Sequence, residues 1–166
     1  KSVFYHNALD VISMVALFNH MAGLLAHPFE GIENAVDVIA LAKLFESMGN
    51  IDSAAQLYVQ GLELDLPKPV LLDAIRRLAL LYKRDGNYES AVNLWKEAAR
   101  YGQVDAQVEL AKCYEHTLRD IPSALAWTQS AIDLVCSPNF PLYERRTWLP
   151  DLEHRLQRLQ KKSPDN

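Results

Sequence analysis

The chain begins KSVFYHNALDVISMVALFNHM, and the residues in it whose types could do chemistry are His6 and Asp10, four apart at the head of a long apolar run. An imidazole can relay a proton, and a carboxylate can relay one or hold a cation. The pair also has a plain structural explanation. His6 or Asn7 would cap a helix, and Asp10 would sit in its first turns, where a carboxylate favours the positive helix end. On a helix, His6, Asp10, Ser13 and His20 fall on one side together with Leu17. The remaining sides carry Val11, Ile12, Met14, Val15, Phe18 and Met21. A helix so apolar is expected between two bodies, one of them the first helical repeat downstream.

Other chemistry finds little support along the chain. There is no Gly-rich phosphate loop, no nucleophile elbow and no His/Cys metal spacing. Cys113 and Cys136 stand far apart and are expected to be buried thiols of a cytoplasmic protein. His20, His27, His116 and His154 are scattered, which suits packing or surface roles. The stretch from Ala8 to Ala26 is interrupted by Asp10, Ser13, Asn19 and His20, which are expensive in a bilayer, so no membrane partner is expected. It also lacks the charged start and cleavage site of a signal peptide. With 166 residues and a net charge of -4, the chain suits one ordered array, and any basic binding surface must be local.

The elements that must position these residues are repeats. LAKLFESMGNIDSAAQLYVQG at 41–61 aligns without gaps with LALLYKRDGNYESAVNLWKEA at 78–98, a period of 37 residues. LAKCYEHTLRDIPSALAWTQSA at 110–131 follows the same pattern with one more residue in its turn. Apolar or small residues at i, i+1 and i+4 (Leu41, Ala42, Phe45 and their counterparts) mark one face of a first helix. Gly49-Asn50 and Gly86-Asn87 mark a turn in which glycine admits a left-handed cap. A second helix then places Ala54, Ala91 or Ala124 where two helices approach closely, followed by Tyr58, Trp95 or, one place early, Trp127. Each copy is an antiparallel helix pair whose apolar face needs a neighbour.

These residues resemble the tetratricopeptide repeat over roughly 33–135, ending each motif on Gly61, Ala98 or Ala131. The resemblance implies an all-α, superhelical stack of antiparallel helix pairs whose first helices line a concave groove. Carried over by position, the groove residues are Lys43, Glu46, Arg76, Lys83, Arg84, Lys112, Glu115 and His116. That stripe implies a groove for a protein partner, an acidic or extended peptide, or a nucleic-acid backbone, against the plain alternative of a solvated helix face. Lys43, Leu80 and Lys112 stand where members that clamp a terminal carboxylate carry asparagines, so that ligand is not expected. The final segment, PLYERRTWLPDLEHRLQRLQKK, has Leu152, Leu156 and Leu159 at helical spacing and predicts a helix closing the stack, starting near Leu149 before Pro150.

HNALDVISMVAL resembles the last motif of ribonuclease H-like, DEDD-type 3′–5′ exonucleases. With YEHTLRDIPSALAWTQSA and LEHRLQRL, it resembles the carboxy-terminal part of the bacterial YprB family. The resemblance implies that Asp10 is a metal-binding carboxylate and His6 positions or deprotonates the attacking water, with Mg or Mn as the parent protein's cofactor and nucleic acid as its substrate. The remaining acidic ligands would lie on strands upstream, and no strand-rich segment with paired carboxylates occurs in this chain.

The sequence therefore predicts a fragment without activity or cofactor of its own. Residues 1–30 would be the last helix of a ribonuclease H-like domain, 31–137 three repeats (33–66, 70–102 and 103–136), 138–162 a capping helix and 163–166 a disordered tail. The alternative is an autonomous interaction adaptor. An extra repeat-like pair formed by helices 6–26 and 33–48 would favour the adaptor, and an exposed apolar face around Val11, Val15 and Phe18 would favour a further domain.

Overall fold

The structure is a computed structural model that describes residues 2–32 and 34–162, with the side chains of Ser2 and Val3 left out; the segment 163–166, expected as a tail, lies outside the described residues. Among the described residues there are eight helices and no strand. They divide into two compact units, Lys1–Leu66 and Pro67–Asn166.

The first unit holds α1 (Ser2–Ala26), α2 (Ala35–Ser47) and α3 (Ile51–Leu62). Asn34 starts α2 by accepting the Val36 N–H at 2.9 Å. Val38, Ile39, Leu41, Ala42 and Phe45 of α2 are buried, as are Ala54, Leu57, Tyr58 and Gly61 of α3. The two helices come close because Gly61 has no Cβ. An added methyl would collide with Ile39 Cδ1 and stand 3.1 Å from its Cγ1 and 3.4 Å from Val38 Cγ1.

The second unit holds α4 (Lys68–Arg84), α5 (Tyr88–Arg100), α6 (Val104–His116), α7 (Ile121–Cys136) and α8 (Leu142–Gln160). Successive helices pack on one another, α4 on α5, α5 on α6, α6 on α7 and α7 on α8. Pro67 caps α4 and Pro69 falls in its first turn, where a missing N–H leaves no helical bond unmade. Ala74, Leu78, Ala91, Trp95, Leu110, Ala111, Ala124 and Ala131 are all buried, which is the repeat pattern expressed as core.

The turn between the helices of each pair is built alike in all three copies. The N–H groups of Asn50, Asn87 and Asp120 donate back to the carbonyls of Phe45, Tyr82 and Tyr114, at 3.0, 2.8 and 2.9 Å. Their side chains accept the N–H groups of Ser53, Ser90 and Ser123. Gly49 and Gly86 supply the left-handed residue at φ of 80° and 82°. In the third copy Arg119 takes that conformation at φ 54° despite its Cβ.

Several expectations need correction. α1 begins at Ser2 with no acidic residue in its first turn, so His6 and Asn7 cap nothing and Asp10 lies beyond the positive end. Nor does α1 pack on the first repeat. From Phe4 to Ala26 every side chain is exposed except half-buried Leu24. In α7 the aromatic position is filled by Thr128, 1% exposed, whose hydroxyl donates to the Ala124 carbonyl at 2.8 Å, while Trp127 is only half-buried. Cys113 is buried, and burial pushes its thiol pKa up, but Cys136 is exposed at the end of α7. The closing helix starts at Leu142, not near Leu149, and carries Pro150 inside it. Pro150 and Arg146 are both exposed, so the Arg146 carbonyl that loses its helical donor can bond water.

Candidate functional site

The second unit contains a cleft of about 510 Å³ bounded by α4, α5, α6 and α8. Leu72, Leu80, Trp95, Val108 and Trp148 give it an apolar interior, and Asp73, Arg76, Glu109 and Lys112 a charged rim. Each comes from a helical face. Leu72, Arg76 and Leu80 recur every four residues on α4, as do Val108 and Lys112 on α6, so one stripe of each helix turns toward the opening. α8 contributes Trp148, one turn before buried Leu152 in the cluster with Val104, Ala131 and Val135.

The rim charges are bonded to one another. Lys83 and Lys112 each donate to a different oxygen of Glu109 at 2.7 Å. Burial alone would push the Glu109 pKa up, but the two lysine hydrogen bonds outweigh it and hold the carboxyl below its usual range. Lys83 also stands 5.7 Å from the centre of the Trp95 ring, so one ammonium ties α4 to both α5 and α6. Asp73 accepts from Arg76 at 2.8 Å and from Arg77 at 3.1 Å.

A second pocket of about 320 Å³ adjoins the first and shares Val108, Lys112 and Trp148 with it. Its other walls include Asp151, His154, Arg155 and Arg158 of α8. Behind it lies Glu115, whose side chain is 1% exposed and receives Arg158 at 2.6 Å, Lys162 at 2.8 Å and Arg155 at 3.0 Å. Burial pushes this carboxyl up, and the Lys162 hydrogen bond with the charges of Arg158, His116 and Lys162 brings it net below its usual value. Arg145 closes the other end of α8, donating to the Val135 and Ser137 carbonyls at 2.8 and 2.7 Å.

The residues expected in the groove therefore separate. Arg76 and Lys112 line the cleft, and Lys83 sits behind its Glu109 edge. Arg84 and His116 are exposed. Glu115 is sealed under α8 rather than open to a ligand. Lys43 and Glu46 belong to the first unit, where Glu46 accepts from the Tyr58 hydroxyl at 2.7 Å. His6 and Asp10 are exposed on α1. One carboxylate cannot supply the ligands of two divalent cations, and among the described residues no group of three or more His, Cys, Asp and Glu converges, so this chain's own residues do not by themselves fit a two-cation centre. The sequence reading missed the apolar lining. Its available signal was Trp148 standing four residues before Leu152 and seven before Arg155 on one face of α8.

The tetratricopeptide repeat family profile matches residues 38–70. Among curated proteins, YprB of Bacillus subtilis (strain 168) is 30% identical over 168 residues, covering 98% of this chain. The chain spans 38% of that relative's length. Among solved structures, PcrH from Pseudomonas aeruginosa superposes with a TM-score of 0.59 at 18% identity, covering 81% of this chain and 98% of PcrH. The Yersinia enterocolitica type III secretion chaperone SycD, in complex with a peptide of the translocator YopD, gives 0.57 at 14% identity, covering 76% and 92%. PcrH in complex with the chaperone binding region of PopB gives 0.52 at 18% identity, covering 80% and 97%. These likenesses establish the all-helical, tetratricopeptide-like fold.

Proposed function

We propose that the chain is a non-catalytic scaffold that holds a protein or peptide segment in the cleft of its second unit. The observation that carries this reading is the cleft itself. Apolar side chains from four helices face an opening of about 510 Å³, Leu80 is 42% exposed at it, and charged groups surround it. Such a surface gains by covering its apolar part while the rim sets orientation. The solved relatives that hold translocator segments support the same class of ligand. A random dodecapeptide library displayed on phage tests it. Peptides retained by the wild-type chain should be lost on Leu80→Glu, a change at an exposed position that leaves the core intact. Equal retention by both proteins would overturn the reading.

The exposed apolar surface of α1 favours a second, compatible reading, in which α1 packs against a further domain of a longer protein. Val11, Val15 and Phe18 are 59%, 54% and 72% exposed, a surface that a soluble domain covers when it can. In this reading the further domain is ribonuclease H-like and supplies the acidic ligands that would join Asp10, with His6 beside them, as the exonuclease motif implies. α1 is also long and apolar enough to cross a membrane, although Asp10, Asn19 and His20 interrupt it. Reading the frame upstream of Lys1 separates the cases. A strand with a D-x-E pair and a later isolated aspartate supports the nuclease partner. A run of further helical repeats overturns it and leaves an autonomous adaptor.

A further inference from the structure

The two adjoining pockets differ in chemistry. The larger is apolar inside, with Leu72, Leu80 and Trp95 in its lining. The smaller is walled by Lys112, His154, Arg155 and Arg158 against the single carboxylate of Asp151. The larger pocket carries Asp73, Asp105 and Glu109 against Arg76 and Lys112, so the excess of positive charge is confined to the smaller pocket, on a chain whose net charge is -4. Glu115 is enclosed and already shared by three cations, which leaves the excess positive charge on the pocket side. An anion brought to this wall would meet Lys112, Arg155 and Arg158 with one competing carboxylate, Asp151.

From this juxtaposition we infer that the cleft and the basic pocket form one two-part site for an acidic peptide segment, an apolar or aromatic side chain entering beside Leu80 and Trp148 and a carboxylate reaching Lys112, Arg155 and Arg158. The inference rests on the peptide-holding reading above and specifies its ligand. Trp148 and Lys112 belong to both pockets, so the two halves are continuous. Arg155 and Arg158 follow Trp148 by seven and ten residues on α8, which is about 10 to 15 Å along the helix at a rise of ~1.5 Å per residue. An extended peptide covers that distance in about three to five residues at ~3.3 Å each. The site therefore selects an acidic residue about that far from an apolar anchor.

The retained sequences from the dodecapeptide library provide the test. They should be enriched in Asp or Glu at three to five positions from a Leu, Phe or Trp. A labelled peptide of that pattern should bind at least tenfold tighter than its Asn/Gln counterpart, and Lys112→Gln or His154→Glu should reduce that preference to less than threefold. Retained peptides with apolar anchors and no acidic enrichment, yet lost on Leu80→Glu, would overturn the inference and leave the peptide-holding reading in place. A single-stranded oligothymidylate that displaces the acidic peptides and binds more tightly than they do would overturn it in favour of a phosphate backbone. Equal library retention by wild type and Leu80→Glu would remove both.

Discussion

Arg158 donates to the Glu115 carboxylate at 2.6 Å across 43 residues of sequence, and this bond, with those from Arg155 and Lys162, fastens α8 to the end of α6. Because Glu115 is enclosed and its partners are half-exposed, the carboxylate depends on them more than they depend on it. Removing its charge leaves three close cations without a counter-ion. Glu115→Gln should cost about 3 kcal/mol, the scale of a broken buried pair. It should lower the melting temperature by roughly 10 °C, measurable by circular dichroism.

The same cluster makes stability fall in acid. The folded Glu115 and Glu109 carboxyls lie below their ordinary values, so the folded state binds protons less readily than the unfolded chain. Their contribution is complete above the unfolded value of about 4.3 and is lost as pH falls below it toward the depressed folded values. Melting temperatures between pH 6 and pH 3 should drop, and Glu115→Gln should show a smaller drop than wild type. Identical pH profiles for the two proteins would show that the carboxylate carries none of the effect.

Arg119 occupies a left-handed conformation that Gly49 and Gly86 fill in the other two turns. Arg119→Gly should therefore raise stability, by about 0.5 to 1 kcal/mol once the greater freedom of an unfolded glycine is subtracted. Gly86→Ala should lower it by a similar amount. Urea midpoints of the two variants, moving in opposite directions at unchanged slope, are the expected result.

Gly61 faces Ile39 where Ala98 and Ala131 fill the corresponding positions of the later repeats. Ile39 is 1% exposed, which limits its retreat. Gly61→Ala should cost about 1 to 3 kcal/mol by overpacking. Adding Ile39→Val removes the colliding Cδ1 and should recover part of the loss. A double-mutant cycle with no coupling would contradict the close approach of α2 and α3.

The repeats were legible because their signals are local. Leu41, Ala42 and Phe45 recur as Leu78, Ala79 and Tyr82 at one helical spacing, and Gly-Asn marks a turn whose left-handed residue few side chains accept. The third copy, with no turn glycine, was still legible because Leu110, Ala111, Tyr114 and Ala124 keep the repeat's spacing, and Asp120 and Ser123 make the same turn bonds in the structure. Pro150 misled the placement of the closing helix. A proline signals a start only when its missing N–H would matter, and on this exposed face water can meet the bared carbonyl.

By itself, the sequence determined the secondary elements, the small residues at close approaches and the class of fold, since each depends on neighbours within a turn or two. Only the tertiary structure decided that Glu115 is an enclosed anchor instead of a groove residue, that Trp148 and Val108 join two pockets, and that α1 is left uncovered among the described residues. Periodicity tells which face of a helix is apolar, whereas what meets that face depends on the register of helices forty residues apart. An ion pair spanning such a distance leaves no local trace in the chain that forms it.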